Sequence, residues 1–385
     1  MKRFWKKLIG KIVGVFPVSE CLIVFESEGD MADNSYALYE YMISNPRYDN
    51  YKYVWIVQDT HQDIRKKTKY IGKSGIFNCI KRIYYLSICS FYIYDHNNFF
   101  DQGCVYKKEN QKIVNLWHGC GIKAAPYAKE KSNIDYLIST GYFFSDELSK
   151  VFGISKNKIF PVGYPRTDCF YKQMREQQKV EQEKLSRYKK VILWMPTFRR
   201  TSNKKLDEIY FNSYTGLPII TSEKDLLELD KFLAENNCIC IFKIHHLQAQ
   251  LPAFQRDFVN IKILKDFDIR RMGVQLYEYV MLTDALITDY SSVATDYMLL
   301  DRPILYTIDD YDAYKKSRGF CFENAIEYLA GYKAVNKKEF YSSIKEIIEG
   351  KDSYDVERQK VNMLFNDNRD SNHCEKILEL IGVGK

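Results

Sequence analysis

The sequence of 385 residues lacks several signatures that would by themselves assign a chain to a class. Its ten cysteines include no Cys-x-x-Cys pair, so we expect reduced thiols in a cytosolic protein and no zinc site. It has no Gly-x-Gly-x-x-Gly dinucleotide fingerprint and no Gly-x-Ser-x-Gly nucleophile elbow. No uninterrupted apolar segment reaches the roughly 20 residues that span a bilayer. These absences disfavour serine hydrolases, proteins with several membrane spans and dinucleotide enzymes of the fingerprint type.

The charge balance indicates an anionic partner. The net charge is +7, from 57 Lys and Arg against 50 Asp and Glu. This value suits an anionic small molecule or an anionic membrane surface, and it gives little support for nucleic acid. With 46% hydrophobic and 28% charged residues, the chain is globular and long enough for two domains.

Residues 1–18 form an amphipathic segment. Phe4, Leu8, Ile12 and Val15 fall on one helical face, and the lysines of this segment lie mostly off that face. The pattern is typical of an interfacial helix that lies on anionic lipid. A signal peptide is disfavoured because lysine interrupts the apolar stretch and no small-residue cleavage site follows. A helix packed on the protein's own surface stays open as the alternative.

Strand-like and helix-like runs alternate along the rest of the chain, which predicts parallel sheets that are covered on both faces. A charge-dense run follows residue 171, has almost no apolar stripe, and is interpreted as a solvated helix or linker. We therefore expect two Rossmann-like domains, at residues 19–171 and 191–365. Residues 172–190 would be the linker between them, and residues 366–385 a final helix. Ligands of such sheets bind at the carboxyl ends of the strands, so we expect a central cleft between the domains.

The first polar motif is Trp117-His118-Gly119, after a strand predicted from Lys112 to Leu116. Gly119 and Gly121 allow the backbone to approach a ligand closely. The imidazole of His118 can be neutral near pH 7 and accept a proton. We interpret His118 as a general base, with a buried structural histidine as the alternative.

Two further motifs follow strands of the second half. Met195-Pro196-Thr197-Phe198-Arg199 offers Thr197 and Arg199 as hydrogen-bond donors to phosphate, although Arg199 could also be a solvated loop residue. In Phe242-Lys243-Ile244-His245, strand alternation places His245 near the cleft edge. His245 and its neighbour His246 lack a third ligand for a metal, and Asp266-Phe267-Asp268 is interpreted as a solvated turn.

The fourth motif is Leu286-Ile287-Thr288-Asp289-Tyr290-Ser291-Ser292, in which an apolar strand meets the start of a helix predicted from Ser292 to Leu300. Free backbone N–H groups and two hydroxyls at a helix N-terminus suit a phosphate group. Ser291 could instead only cap the helix. One turn later, Asp296 could accept a hydrogen bond from a sugar hydroxyl or serve in packing.

Together, these residues suit displacement at a diphosphate. The donors would bind the charge that grows on the leaving phosphate, while the base takes a hydroxyl proton. Cationic donors can replace a metal in this scheme.

At these motifs the sequence resembles the CDP-glycerol glycerophosphotransferase family, which includes teichoic acid primases and polymerases. The resemblance spans nearly the whole chain in order. Its residues are Phe25-Glu26-Ser27, Asp33-Asn34-Ser35-Tyr36, Trp117-His118-Gly119 with Lys123, Val162 to Asp168, Pro196 to Arg199, Lys243 to His245, Ile287 to Val293, Asp296-Tyr297, Leu300 to Ile304, and Tyr314 with Arg318-Gly319-Phe320.

The resemblance implies a GT-B architecture and transfer of glycerol phosphate from CDP-glycerol to a hydroxyl, with release of CMP and without metal or cofactor. By this analogy the N-terminal domain serves the acceptor and the C-terminal domain binds the donor nucleotide. His118 would be the base, and the donor site would contain His245, Ser291, Ser292, Thr197, Arg199 and Asp296. Four more residues would line the acceptor side or support the cleft, namely Lys123, Arg166, Asp168 and Arg318.

The resemblance also implies a lipid-linked glycan acceptor at the cytoplasmic face of the bacterial plasma membrane, where the protein would be peripheral. The sequence departs from the family after Phe320, where no Pro-Gly follows, and at His246, where proline is common. These departures leave open whether the donor carries glycerol or ribitol, and whether the product is teichoic acid or capsule. A single addition is favoured over polymerisation. The other hypotheses are a GT-B glycosyltransferase that uses a nucleotide sugar and a non-catalytic nucleotide-binding membrane partner.

Overall fold

The computed structural model describes residues 3–60, 65, 67–96, 100, 103–197, 213–244 and 248–384. The chain divides into two compact units. The first contains residues 1–118, 126–171 and 366–385, and the second contains residues 119–125 and 172–365. The chain passes from the first unit to the second at the peptide bond between His118 and Gly119, and the C-terminal helix belongs to the first unit.

The first unit is built on a seven-stranded parallel sheet with the order β3-β2-β1-β4-β5-β6-β7. The strands are β1 Ser19–Glu26, β2 Lys52–Val57, β3 Thr68–Gly72, β4 Cys89–Tyr94, β5 Lys112–Asn115, β6 Tyr136–Ile138 and β7 Ile159–Phe160. The helices are α1 Arg3–Val13, α2 Asp33–Ile43, α3 Ile76–Ile88 and α4 Ser145–Phe152, with a last helix at His373–Ile381. The central strands are buried along almost their whole length, as their near-continuous apolar runs predict.

The second unit has a six-stranded parallel sheet with the order β10-β9-β8-β11-β12-β13. Its strands are β8 Lys190–Trp194, β9 Cys238–Phe242, β10 Ile261–Ile263, β11 Ala285–Thr288, β12 Ile304–Thr307 and β13 Tyr332–Ala334. Its helices are α5 Glu176–Leu185, α6 Glu223–Glu235, α7 Asp266–Met272, α8 Leu276–Val280, α9 Val293–Tyr297, α10 Tyr311–Ser317, α11 Lys337–Ile348 and α12 Asp355–Phe365; the helix His373–Ile381 of the first unit is α13.

Aromatic residues fill the core of each unit. In the first unit Phe25 stacks on Trp55, with ring centroids 5.3 Å apart. In the second, Trp194 packs edge-on against Phe242 at 5.0 Å and lies 5.3 Å from Phe340. These rings come from neighbouring strands and, in the second unit, from a covering helix. Their contacts stabilise the packing between strands and of that helix on the sheet.

Three strands were not predicted, and two helices are shorter than predicted. β3 lies at a sheet edge and buries only its last two residues, β7 has only two residues, and β13 is another short edge strand. The helix predicted at 274–281 is reduced to α8, and the one predicted at 292–300 is reduced to α9, because residues 298–300 tighten into a 3-10 turn before a left-handed Asp301 (φ 49°).

The charge-dense run is a helix of the second unit. Within it, α5 buries the side chains of Gln178, Glu181 and Leu185, so one of its faces is packed although it carries little apolar surface. Its polar composition concealed this face from pattern reasoning, which depends on apolar periodicity.

Among the described helices, none is both long enough and apolar enough to cross a membrane.

Candidate active site

Both sheets share the strand order of a Rossmann-like fold, and each has a point where the order reverses direction. In the first unit this switch point lies between β1 and β4, and in the second it lies between β8 and β11. In open sheets of this kind, loops diverge at such a point at the carboxyl ends of the strands, and ligands commonly bind there. The polar motifs follow β5, next to β4, in the first unit, and β8 and β11 in the second.

The backbone that presents His118 is held in an uncommon conformation. Trp117, which precedes it, adopts a left-handed φ of 53°. The buried side-chain amide of Asn34 donates to the Trp117 carbonyl oxygen at 2.7 Å, and the Trp117 N–H donates to Oδ1 of Asn115 at 2.7 Å. Two asparagines therefore stabilise a strained residue next to the histidine, which is the kind of strain found at functional sites.

The His118 side chain is half-buried, and its Nδ1 lies 3.4 Å from the carbonyl oxygen of Asp95, a long hydrogen bond. Burial, and to a lesser extent the charge of nearby His96, lower the pKa of His118 to about 4. The ring is therefore neutral at pH 7. A proton on Nδ1 directed at the Asp95 carbonyl leaves Nε2 as the nitrogen that can accept a proton.

A polar cluster beside His118 was missed by sequence reasoning. Asp95 is fully buried and accepts backbone N–H bonds from Glu28 and Ser35, both at 3.2 Å. Its Oδ1 lies 2.7 Å from Nδ1 of His96, whose Nε2 lies 2.6 Å from Glu28. Asp95 and His96 directly follow β4, so a signal was present: two ionisable residues at the carboxyl end of a buried strand.

Arg166 and Asp168 support the first unit. Arg166 is buried and forms an ion pair with Asp33 at 2.5 Å. Asp168 accepts the backbone N–H groups of His373 and Cys374, at 2.9 and 3.2 Å, and so caps the first turn of α13. Of the two roles that the resemblance left open for these residues, the contacts favour the structural one.

In the second unit, Asp289 joins two of the polar motifs. This fully buried carboxylate accepts the Thr197 N–H at 2.8 Å, the Thr197 hydroxyl at 2.6 Å and the Ser291 N–H at 3.1 Å. It therefore ties the loop after β8 to the loop after β11. The Thr197 hydroxyl proton is directed at Asp289, and the role of Thr197 toward a phosphate stays a prediction.

Ser291 and Ser292 are half-buried at the start of α9. Ser292, and not Ser291 as in the capping alternative, occupies the N-cap position, and its side chain makes no cap hydrogen bond. The helix itself has only five residues, and its dipole is correspondingly short. Because the Ser291 N–H is bonded to Asp289, the two hydroxyls are the donors of this turn that matter most for a ligand.

A loop from residues 119–125 packs beside the serines. A Cβ added at Gly121 would lie 3.1 Å from both Cα and Cβ of Ser292, so a side chain here would require the loop or the serine turn to shift by a few tenths of an ångström. Lys123 pairs with Phe320 in an antiparallel bridge, and its Nζ lies 3.5 Å from the Thr197 hydroxyl. The Arg-Gly-Phe segment at 318–320 therefore holds Lys123 next to Thr197 and gives that part of the sequence a role in positioning.

Of the remaining predicted residues, the structure describes two, Asp296 and Arg318, and does not describe the other two. The side chain of Asp296 is buried and accepts a 2.5 Å hydrogen bond from Tyr277, which favours packing over contact with a sugar. Arg318 lies over the Tyr314 ring at 5.8 Å. Arg199 and His245 lie outside the described residues, and their roles stay predictions, as does the cleft.

Within the described ranges, no group of three or more His, Cys, Asp or Glu side chains is arranged to hold a metal ion. In the Asp266-Phe267-Asp268 segment, Asp268 accepts the Lys265 N–H at 2.9 Å at the start of α7, and Asp266 pairs with Lys243 at 2.9 Å. The segment is therefore the first turn of a helix and not the predicted solvated turn, and Asp266 pairs with a lysine whose side chain is largely buried.

The family model for CDP-glycerol:poly(glycerophosphate) glycerophosphotransferase matches residues 10–382. The chain belongs to this family. The resemblance noted in the sequence is thereby confirmed, and the protein is an enzyme of the glycerophosphotransferase family, whose members act in teichoic acid biosynthesis.

Relatives within the family include a teichoic acid poly(glycerol phosphate) polymerase of Bacillus spizizenii, which is 26% identical over 82% of this chain and 81% of its own length. The teichoic acid ribitol-phosphate primase of the same species is 23% identical over 84% of each chain. A solved structure of the wall teichoic acid polymerase TagF matches with a TM-score of 0.77 at 23% identity, covering 98% of this chain and 93% of that one. This structural likeness shows that the chain has a GT-B-like α/β fold with parallel sheets.

Proposed function

We propose that this enzyme transfers glycerol phosphate from CDP-glycerol to a hydroxyl of a membrane-linked glycan or polyol phosphate and releases CMP. In the reaction, the acceptor oxygen forms a bond to the phosphorus that carries the glycerol. The bond between that phosphorus and the bridging oxygen breaks, and CMP leaves with the electron pair. The hydroxyl proton passes to a base.

His118 is the proposed base. Its ring is neutral at pH 7 because burial lowers its pKa, and Nε2 has a free lone pair in the tautomer described above. The pKa of about 4 is that of His118 in the protein without substrate. The negative charge of a bound diphosphate would raise the pKa of His118 and make the ring a stronger base when the donor is present.

The second unit is the proposed donor site. Ser291 and Ser292 supply hydroxyls, Lys123 supplies a positive charge, and Asp289 fixes the loops that carry them. These groups would bind the negative charge that develops on the leaving CMP, which is how enzymes of this kind of chemistry work without a metal. Arg199 and His245 are proposed to complete this site.

The single observation that carries the proposal is the shared position of the two motif sets. Each set lies at the carboxyl ends of parallel strands, at or next to the switch point of its own sheet. Ligands of open parallel sheets bind at such points, so this concentration of polar residues supports a binding site in each unit.

The donor is tested by incubating the purified protein with CDP-glycerol, CDP-ribitol and UDP-sugars and measuring the nucleotide released. We expect CMP from CDP-glycerol at the highest rate. Faster release from CDP-ribitol would change the transferred alcohol, since ribitol enzymes are also among the relatives. UDP release would indicate a glycosyltransferase, and tight nucleotide binding without any release would indicate a non-catalytic partner.

We further propose that α1 docks the enzyme on an anionic membrane surface. Gly10 and Val13 face the protein, and a Cβ added at Gly10 would lie 2.1 Å from the Cys104 carbonyl oxygen. On the opposite face, Phe4 and Ile12 are 69% and 60% exposed. The exposed lysines at positions 7 and 11 complement an anionic lipid headgroup, so the occupant that fits this face is a bilayer.

Vesicle flotation tests this surface. Changing Phe4, Ile12 and Val15 to serine should abolish binding to vesicles that contain an anionic lipid. A matched control changes Val259, Val356 and Leu364 to serine, since these are also exposed apolar residues but lie in the second unit. Equal binding by both triple variants would contradict the assignment of α1.

A further inference from the structure

His96 lies flat against the proposed base. The rings of His96 and His118 are stacked, with centroids 4.2 Å apart and an interplanar angle of 13°. Trp117 packs against the His118 ring as well, at 3.8 Å between centroids. The two neighbouring rings leave His118 little freedom to rotate, so its Nε2 keeps a fixed direction.

The contacts of His96 indicate that it is positively charged. Nδ1 of its ring lies 2.7 Å from Asp95 and Nε2 lies 2.6 Å from Glu28. A neutral imidazole has one N–H donor, whereas an ionised carboxylate can only accept, so both contacts are satisfied together only by the imidazolium. In agreement, hydrogen bonds to these two carboxylates overcome the effect of burial and raise the pKa of His96 to about 9.

We propose that His96 is a positioning residue for His118: its imidazolium, fixed between Asp95 and Glu28, holds the neighbouring ring in place and keeps it neutral between transfers. The proposal rests on the proposed role of His118 as the base. Nothing in the motifs of the sequence assigned a role to His96.

The consequence for the reaction is that His118 releases the proton faster than it would without the charge of His96. When the acceptor O–H bond breaks, the proton moves to Nε2 of His118, and two stacked imidazolium rings then repel each other. The proton therefore passes readily to water, and the base returns to its neutral form for the next transfer. His96 itself neither gains nor loses a proton in this sequence.

Other charges also face the pair. Asp33 raises the pKa of His118 and Arg166 lowers it, and these two residues are paired with each other. Asp33 also raises the pKa of His96. Because Asp33 and Arg166 stay in place when His96 is changed, the effect of His96 can be measured separately.

The test is His96→Asn, which removes the titrating ring and keeps a polar side chain. The pKa of His118 is measured in the full-length protein by histidine NMR, and the pH dependence of kcat/KM is measured in parallel. We expect the midpoint of His118, and the acid limb of kcat/KM with it, to move up by about one pH unit or more. An unchanged midpoint would overturn the proposal, and so would activity that falls by the same factor at every pH, which indicates a merely structural role.

A second variant protects the test against misfolding. Glu28→Gln alters a side chain that is 71% exposed, so the fold should tolerate it, and the midpoint of His96 should fall toward the ordinary value. Glu20→Gln on β1 is the matched control, since Glu20 is also exposed. If His96 titrates at the same pH in all three proteins, its pairing with Glu28 is wrong. The NMR readout does not depend on activity, so a failure of the proposed function is recognised separately.

Discussion

Asp289 shows how one buried residue organises two loops of the second unit. Its two carboxylate oxygens accept three hydrogen bonds, which come from residues 92 positions before it and two positions after it. The sequence showed an acidic residue after a strand, but it could not show Thr197 as its partner. That pairing depends on β8 and β11 being neighbours in the sheet.

The change Asp289→Asn tests this role. One carboxylate oxygen is replaced by an amide NH₂ group, which then faces an N–H or O–H donor of Thr197 or Ser291. This mismatch should lower the free energy of unfolding by about 1–3 kcal/mol. We also expect at least a tenfold loss of kcat/KM for CMP release, because the loops that carry Thr197 and Ser291 lose their common anchor. Denaturant unfolding and the release assay measure the two effects.

Asp284→Asn is the control. Asp284 accepts the Val191 N–H at 2.7 Å, at the opposite end of the same pair of strands. It should lose stability but keep kcat/KM at temperatures where it is folded. If both variants lose activity equally, the effect of Asp289 is due to stability alone.

At the residue scale, the prediction was correct for residues whose position depends on the end of one strand alone. His118, Thr197, Ser291 and Ser292 were placed near carboxyl ends of strands, and the structure has them there. Glu28 and His96 were missed because their contact joins loops that lie 68 positions apart in the sequence. It exists only because β1 and β4 are adjacent.

At the scale of elements, the loop of residues 119–125 depends on one close approach. Gly121 passes the serine turn so closely that a methyl group would contact Ser292 at 3.1 Å. Such a contact is relieved only if the loop or the start of α9 moves by a few tenths of an ångström. Either movement changes the position of the serine hydroxyls.

We therefore expect Gly121→Ala to lower kcat/KM for CDP-glycerol by about tenfold or more, since small misplacements of binding groups are costly in catalysis. Gly350→Ala is the control, because Gly350 has a left-handed φ of 80° with open space around its Cα. It should lose stability, by about 1 kcal/mol, without a change in kcat/KM. Normal activity in Gly121→Ala would mean that the loop does not constrain the serines.

Elements with a strong pattern were predicted well, and weak patterns were not. Ala285–Thr288 and His373–Ile381 were found with their observed bounds because apolar runs and helical periodicity are clear there. β3 and β13 were missed because edge strands carry fewer apolar residues. α5 showed no apolar stripe although it buries polar side chains.

At the scale of the whole molecule, the two units repeat one plan. Each has a parallel sheet with the same initial strand order, and each has its polar motifs at or next to the switch point. Pattern reasoning predicted two Rossmann-like domains from the alternation of strands and helices. The order of the strands, which creates the switch points, is a property of tertiary packing and is not contained in the periodicity of the sequence.

We propose that His118 takes the acceptor proton while the second unit binds the donor. This division of roles is measured by comparing CMP release from CDP-glycerol by the wild type and by His118→Asn, together with the donor affinity of each. We predict a loss of kcat by a factor of about 10² to 10⁴, the range for removal of a general base, with the Kd for CDP-glycerol nearly unchanged. Equal rates in the two folded proteins would contradict the account.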